Sequence, residues 1–422
     1  MIDIKFITAN PDIIKKGATR KMVTVDIDQI IQLDDKRRTS LQRLEELRAT
    51  QNRVSKEIPQ AADKEILLEE MRLVKDEIKI LEPEISKLEN EIEELAILVP
   101  NPPLDSTPDG REDSDHEIIK THGKKPKFDF TPKDHIELGK LLDVIDIERG
   151  VRTSGARFYY LKNDGAMLEF ALTQHIIHKL RSKGFAPIIP PVLVKEEAMY
   201  ATGFFPADRN EVYHVNPDDD DLYLVGTSEV PLTMLHAKEI VPEEKLPIRY
   251  CGYSTCFRRE AGSYGKDTAG IIRVHQFNKI EMFSFCHPDK SQEEHELIRS
   301  IEEEIMQELG FHYQVLNIAA GDLGAPAAKK YDIEVWIPTQ EKFRELTSCS
   351  NCTDFQARRA QIRYKDKEGN NQYLHTLNGT SIAIARTIVA ILENNQQADG
   401  SVLIPEILRP YIGNQETITQ KI

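Results

Sequence analysis

Ile271-Ile272-Arg273-Val274-His275-Gln276-Phe277-Asn278-Lys279-Ile280-Glu281-Met282-Phe283 interleaves two patterns. Written as a strand, Arg273, His275, Phe277, Lys279 and Glu281 share one face, while Ile272, Val274, Ile280 and Met282 share the other and pack on a core. A charged row around one aromatic ring is odd for a plain surface strand. It suits a site holding an anion at Arg273, a flat ring at Phe277 and an ammonium or hydroxyl at Glu281. Just upstream stands Cys256-Phe257-Arg258-Arg259-Glu260. On a strand, Arg258 and Glu260 point the same way. The residues between, Ala261 to Gly270, include three glycines and predict a flexible hairpin loop. The composite is an antiparallel pair with Arg258, Glu260, Arg273, Phe277 and Glu281 on one face. A surface hairpin with cross-strand ion pairs would read the same way.

Around this hairpin, from about Thr121 onward, short β-branched or aromatic runs alternate with amphipathic helices predicted near 134–147, 167–183, 291–309 and 381–394. That describes an α+β domain of roughly 300 residues. Residues 104–120 are polar and turn-rich and read as a linker. Before them the pattern is different. Met71, Val74, Ile78, Leu81, Ile85, Leu88, Ile92 and Leu95 form an unbroken a/d heptad seam. Ile30, Leu33, Leu44, Leu47, Val54 and Ile58 fit the same register, with Arg37, Ser40 and Gln51 as polar interruptions. Pro59 to Asp63 supplies a tip turn. The prediction is a long antiparallel helical hairpin over about residues 28–98, kinked at Pro83 or locally releasing one hydrogen bond there. Its first helix, from Lys36 to Lys56, carries net +5, and Met71 to Ile97 carries net −4. Either the charges merely solvate an exposed hairpin, or the basic helix lies along a phosphate backbone. The domain expectation is residues 1–103, the linker 104–120, and 121–422.

The 422 residues hold 55 basic and 70 acidic side chains, net −15. That argues against a protein coating nucleic acid non-specifically, while leaving room for a local basic patch. Thirty per cent charged and 40% hydrophobic residues describe a globular chain. No apolar run is long enough to span a membrane. Met1-Ile2-Asp3-Ile4-Lys5 is neither a signal nor a transit peptide, and five cysteines suit a reducing compartment, so a cytoplasmic protein is expected.

The hairpin wording, Phe257-Arg258-x-Glu260, a loop, then Arg273-x-His275-Gln276-Phe277-x-Lys279-x-Glu281, resembles motif 2 of the class II aminoacyl-tRNA synthetases, and specifically the seryl-tRNA synthetase family. Gly184-Phe185 followed by Pro190-Pro191 resembles motif 1. Thr227-Ser228-Glu229 resembles the family's serine-binding Thr-x-Glu. Glu345 to Gln356 resembles its metal and ATP segment, and Asn378-Gly379-Thr380 with Arg386 resembles motif 3. The heptad hairpin resembles the family's tRNA-binding arm. The resemblance covers the whole chain, and it implies an α+β, antiparallel-sheet class II catalytic domain preceded by the coiled-coil arm. There are departures. Gly226 stands where a proline is common, Thr347 where serine is usual, and Ser381 to Ala385 lacks motif 3's glycines.

The resemblance implies ATP-dependent activation of L-serine to seryl-adenylate and its transfer to the 3′ end of tRNA(Ser), and to tRNA(Sec) where that tRNA is present. It implies that Arg258 bridges the α-phosphate and the serine carboxylate, that Arg386 holds the γ-phosphate, and that Phe277 stacks on adenine. Glu260 would bond the adenine amino group or orient Arg258. Arg259, Arg273, Val274, Leu346 and Thr347 complete the expected ATP set. Glu345 and Ser348 would ligate Mg²⁺, a hard ion that prefers oxygen donors. Thr227, Ser228 and Glu229 would hold the serine amino group, with Glu281, Asn378 and Thr380 around its hydroxyl. On the arm, Arg43, Arg48, Arg53 and Lys56 would face tRNA. Pro191 would lie at a homodimer interface.

Cys349-x-x-Cys352 is half a zinc motif without a second half, so no zinc is expected. His175 and His178 read as partly exposed helix residues. Two other functions compete. A ligase loading a carrier protein would lack the arm. A catalytically silent RNA-binding paralogue would have no use for Arg258, Glu260, Glu281, Glu345 and Arg386.

Overall fold

The computed structural model describes residues 3–262 and 269–420. Most of the predicted hairpin loop, residues 263–268, lies outside the described residues. The chain forms two compact units, Met1–Pro102 and Pro103–Ile422.

In the first unit two short helices precede a pair of long ones, Ile27–Glu57 and Lys64–Ala96. Asp26 starts the pair by accepting the Gln29 N–H, which satisfies one of the helix's open donors. Leu33, Leu44, Leu47 and Val54 are buried against Met71, Val74, Ile85, Leu88 and Ile92, as the heptads require. Arg37, Ser40 and Gln51 sit half-buried on the same seam. The second helix continues through Pro83. That residue is exposed, so the carbonyl that loses its donor faces water. The charge contrast is resolved within the hairpin. Arg43 reaches Glu77 at 2.7 Å, Arg48 reaches Glu82 at 2.9 Å and Arg53 reaches Glu70 at 2.6 Å. The basic helix is therefore not a bare row of cations. Lys36 and Lys56 are exposed and form no ion pair among the described residues.

The second unit is built on an eight-stranded sheet. Its order is Glu117–His122, Tyr313–Asn317, Lys329–Ile337, Lys342–Asn351, His375–Ala383, Gln276–Cys286, Ile248–Phe257 and Ala186–Ile188. Every pairing is antiparallel except the last. Gln276–Cys286 and His375–Ala383 are buried on both faces for most of their length, as central strands must be. The core joins Ile280, Met282 and Ile382 of the sheet to Ile298, Ile301 and Ile305 of the Ser291–Glu308 helix and Ile388 and Ile391 of the Ile384–Asn394 helix. Gly379 is needed for that packing. A Cβ there would lie 2.3 Å from Ile298 Cγ2 and 2.7 Å from Glu302 Oε1.

Four expectations change. The helix predicted at 134–147 is split into His135–Leu141 and Ile147–Ser154. Asp143 takes φ +54°, and Asp146 opens the second helix by accepting the Arg149 N–H. The strand predicted from Ile271 begins at Gln276. The backbone before it bonds elsewhere: Ile271 N–H to the His135 ring, His275 N–H to Arg157 O, and Ile272 O from Arg386 Nε. Ser381–Ala383 ends a strand, and the helix starts at Ile384. His175 is buried and pairs with Glu308 at 3.0 Å. The polar stretch after Pro103 is tied down rather than loose. Leu104 N–H and Thr107 Oγ1 donate to Ala328 O, Asn317 Nδ2 donates to Ser106 O, and a sheet strand already begins at Glu117. No described helix is long and apolar enough to cross a membrane.

Candidate active site

The central strands open onto a cavity of about 240 Å³. Thr227, Glu229, Arg258, Glu260, Arg273, Val274, Phe277, Glu281, Glu345, Leu346, Ser348, Asn378, Thr380 and Arg386 all line it. These residues come from segments spread between Thr227 and Arg386. The sheet register assembles them: Glu281 lies opposite Thr380, and Cys349 lies opposite Gly379.

One end of the cavity is a buried polar cluster. Thr380 Oγ1 and Thr227 Oγ1 donate to Glu281 Oε2 at 3.3 and 3.5 Å. Lys279 forms an ion pair with Glu281 and donates to Thr380 Oγ1 at 3.3 Å. Beside them, Glu229 Oε1 accepts from Gln356 Nε2 at 2.7 Å and Asn378 Nδ2 at 2.8 Å. Burial, and then the neighbouring Glu281 charge, push the Glu229 carboxyl up to about 7. Gln356 is fully buried and is fixed in turn by accepting Thr376 Oγ1 at 2.7 Å. Carboxylates, hydroxyls and amides in so small a space suit a ligand with an ammonium and a hydroxyl.

The other end is cationic. Arg258 lies 5.3 Å from the Phe277 ring centroid and donates from Nε to Gly226 O at 3.3 Å. The strand carrying it stops at Phe257, but Arg258 N–H still bonds His275 O. Glu260 takes φ +52° and accepts Arg273 Nη1 at 2.5 Å. Arg386, third residue of its helix, donates from Nη1 to Glu345 O at 2.9 Å, and lies 3.4 Å from Glu345 Oε2. Burial disfavours the Glu345 charge, but Arg386, Lys330 and Arg258 outweigh it and hold the carboxyl below its usual range. An ionised carboxylate with the Ser348 hydroxyl on the same cavity wall is an oxygen donor set of the kind hard divalent ions take.

Three expected residues do not line the cavity. Ser228 is fully buried and donates to Gly252 O. Thr347 points away and donates to Glu302 Oε2 at 3.2 Å. Arg259 is exposed, and its N–H bonds Glu211 O. Conversely, Lys330, Ser350 and Cys352 line the cavity without having been expected there, and so does Lys279. Ser350 follows Ser348 by two, so strand alternation alone could have found it. Nothing in the sequence pattern marks Lys330. Cys349 and Cys352 are buried and form no disulfide among the described residues, and burial pushes the Cys349 thiol well up. Pro191 is exposed beyond the sheet's edge strand, next to Ile189, which is 85% exposed.

Residues 213–395 match the tRNA synthetase class II core domain (G, H, P, S and T), and residues 1–103 match the seryl-tRNA synthetase N-terminal domain. The chain is 48% identical over 421 residues to a serine–tRNA ligase of Clavibacter michiganensis, covering 99% of this chain and 98% of that one. Its fold is similar to the seryl-tRNA synthetase of Pyrococcus horikoshii, solved as a complex with ATP, with TM-score 0.94, 40% identity and full coverage of both chains. It is likewise similar to the cytoplasmic serine–tRNA ligase of Naegleria fowleri, solved with AMP, with TM-score 0.89, 34% identity, and 100% and 99% coverage. Sequence and fold agree from end to end, and the chain belongs to the seryl-tRNA synthetase family of class II aminoacyl-tRNA synthetases, the enzymes that join serine to tRNA.

Proposed function

We propose that the cavity binds ATP and L-serine together, forms seryl-adenylate, and passes the seryl group to the 3′ end of tRNA(Ser). The observation that carries this is the polarity of one cavity: an acid and amide cluster at one end, and two arginines, an aromatic ring and a half-exposed carboxylate at the other.

Serine enters with its ammonium toward Glu229 and Thr227 and its hydroxyl toward Glu281 and Thr380. Its carboxylate then lies toward Arg258. A guanidinium can donate to that carboxylate and to the α-phosphate at once, holding nucleophile and phosphorus in line. The carboxylate oxygen attacks the α-phosphorus and the α–β bridging oxygen leaves with pyrophosphate. No enzyme nucleophile is needed, so the side chains work by positioning and by stabilising charge. Phe277 offers a face to adenine, and Arg386 faces the far phosphates. In the second step the terminal ribose hydroxyl of tRNA attacks the seryl carbonyl and AMP leaves. Glu345 and Ser348 would hold a magnesium ion, which when bound neutralises phosphate charge.

The hairpin arm is proposed as the tRNA-binding element, reading phosphate and shape more than base edges, since the A-form major groove excludes side chains. Arg43, Arg48, Arg53 and Lys56 are its proposed contacts. The same surface would take tRNA(Sec) where that tRNA is present. A homodimer through the Pro191 edge is supported by the exposed Ile189 beside it and by Met167 and Phe170, exposed on the Asn163–Ser182 helix. The proposed setting is the cytoplasm. Serine-dependent exchange of pyrophosphate into ATP tests the first step directly. Exchange in the absence of tRNA is expected, and its absence would overturn the reading.

A further inference from the structure

We propose that Lys330 is an additional ATP-binding residue, whose ammonium contacts the phosphates that leave as pyrophosphate. The proposal rests on the seryl-adenylate reading above.

Lys330 lines the cavity, with its side chain 21% exposed. Its backbone is fixed on both sides, by pairing with Ser350 and by the Ile318 N–H donating to Lys330 O at 3.0 Å. The next residue on the same face is Asp332, which lies opposite Ser348. Lys330 Nζ is 3.3 Å from Asp332 Oδ2, and Asp332 Oδ1 has no hydrogen-bond partner among the described residues. The ammonium thus stands one register step from Ser348 and acts on Glu345 together with Arg386 and Arg258. All three cations converge on the end of the cavity assigned to phosphate. A half-buried lysine needing only structural neutralisation would not have to face a ligand cavity. Asp332 holds the long side chain in place, which lowers the ordering cost when a polyanion arrives. Charge grows on the pyrophosphate oxygens as the α–β bond breaks, so the contact strengthens in the transition state. Lys330 should therefore affect adenylate formation and leave the later transfer step alone.

The test uses the full-length enzyme with Lys330→Met and Lys330→Arg. Four quantities are measured: pyrophosphate exchange, the KM for serine, ATP binding by calorimetry in the presence of a chelator, and transfer of serine from preformed seryl-adenylate to tRNA. Lys330→Met is expected to lower exchange kcat/KM for ATP by about 10- to 100-fold, weaken chelator-resistant ATP binding, leave serine KM within about twofold, and spare transfer. Lys330→Arg is expected to recover much of the loss. If Lys330→Met fails to fold with Asp332 unpaired, Lys330→Met with Asp332→Asn removes both charges and carries the same expectation. Unchanged ATP use, or an equal loss in exchange and transfer that arginine does not rescue, would overturn the proposal. A wild-type enzyme that transfers serine from the adenylate but shows no exchange would instead overturn the adenylation reading itself.

Discussion

Glu229 is the proposed serine-site carboxyl whose charge the structure shifts. It is pushed up to about 7, first by burial and then by Glu281, so before serine binds it is about half protonated near neutrality. Only the ionised form attracts serine's ammonium. The KM for serine should therefore fall as pH rises from about 6 to 7 and level off above about 8, with a slope approaching tenfold per unit on the acid side. Glu229→Gln should bind serine weakly at every pH and flatten the profile. A flat wild-type profile would remove Glu229 from the ammonium site. Glu281 makes a different prediction. Glu281→Ala removes the acceptor facing the serine hydroxyl, so kcat/KM for serine should fall at least 100-fold while the KM for ATP moves little. An equal rise in both KM values would contradict the assignment. Phe277 and Glu281 were legible because strand alternation predicts their shared face, whereas Arg273 reaches the cavity from the backbone ahead of the strand, where Ile272 and Val274 line it too. Ser228 and Thr347 were misplaced because membership of a motif does not say which way a side chain points. Lys330 was invisible because only cross-strand register sets it opposite Ser350 on the cavity wall, and register is a tertiary fact.

At the scale of elements, the heptads over Met71 to Leu95 specified the hairpin, because a seam of period 3.5 has one way to be buried. They did not specify where the charges go. Arg43, Arg48 and Arg53 bridge to Glu77, Glu82 and Glu70, and all six side chains remain at least a third exposed. Exposed pairs of this kind contribute little to stability and exchange readily for another anion. Swapping each pair, Arg43→Glu with Glu77→Arg and likewise for the other two, keeps the ladder and moves the cations to the other helix. The swapped enzyme should unfold within a few degrees of wild type, yet bind tRNA more weakly with a shallower salt dependence, because fewer counterions are released. Unchanged tRNA affinity would mean that RNA does not read the first helix. The Ala186–Ile188 strand carries the other element-scale prediction. Ile189 at 85% exposure beside exposed Pro191 is an apolar edge that a partner would cover. Sedimentation at micromolar concentration should give a homodimer, and Ile189→Asp should shift it toward monomer. A fully active wild-type monomer would contradict this. Helix boundaries near 134–147 were misread because Asp143 and Asp146 interrupt and restart the chain without disturbing the apolar period.

At the scale of the whole molecule, the proposed function divides between two units. Every residue of the proposed cavity lies in Pro103–Ile422, and the heptad hairpin lies in Met1–Pro102. The hairpin is closed by its own seam, with Leu33 packed on Leu88 and Ile92 near its base, so it can be removed there without opening the catalytic core. The most direct measurement is made on the enzyme with residues 30–97 replaced by a short glycine linker. Serine-dependent pyrophosphate exchange and charging of tRNA(Ser) are assayed side by side with the intact enzyme. Exchange is expected within a few-fold of the intact enzyme and charging reduced by at least about 100-fold, because a large phosphate-binding surface is lost. Charging at the intact rate would contradict it and leave the hairpin as a solvated appendage.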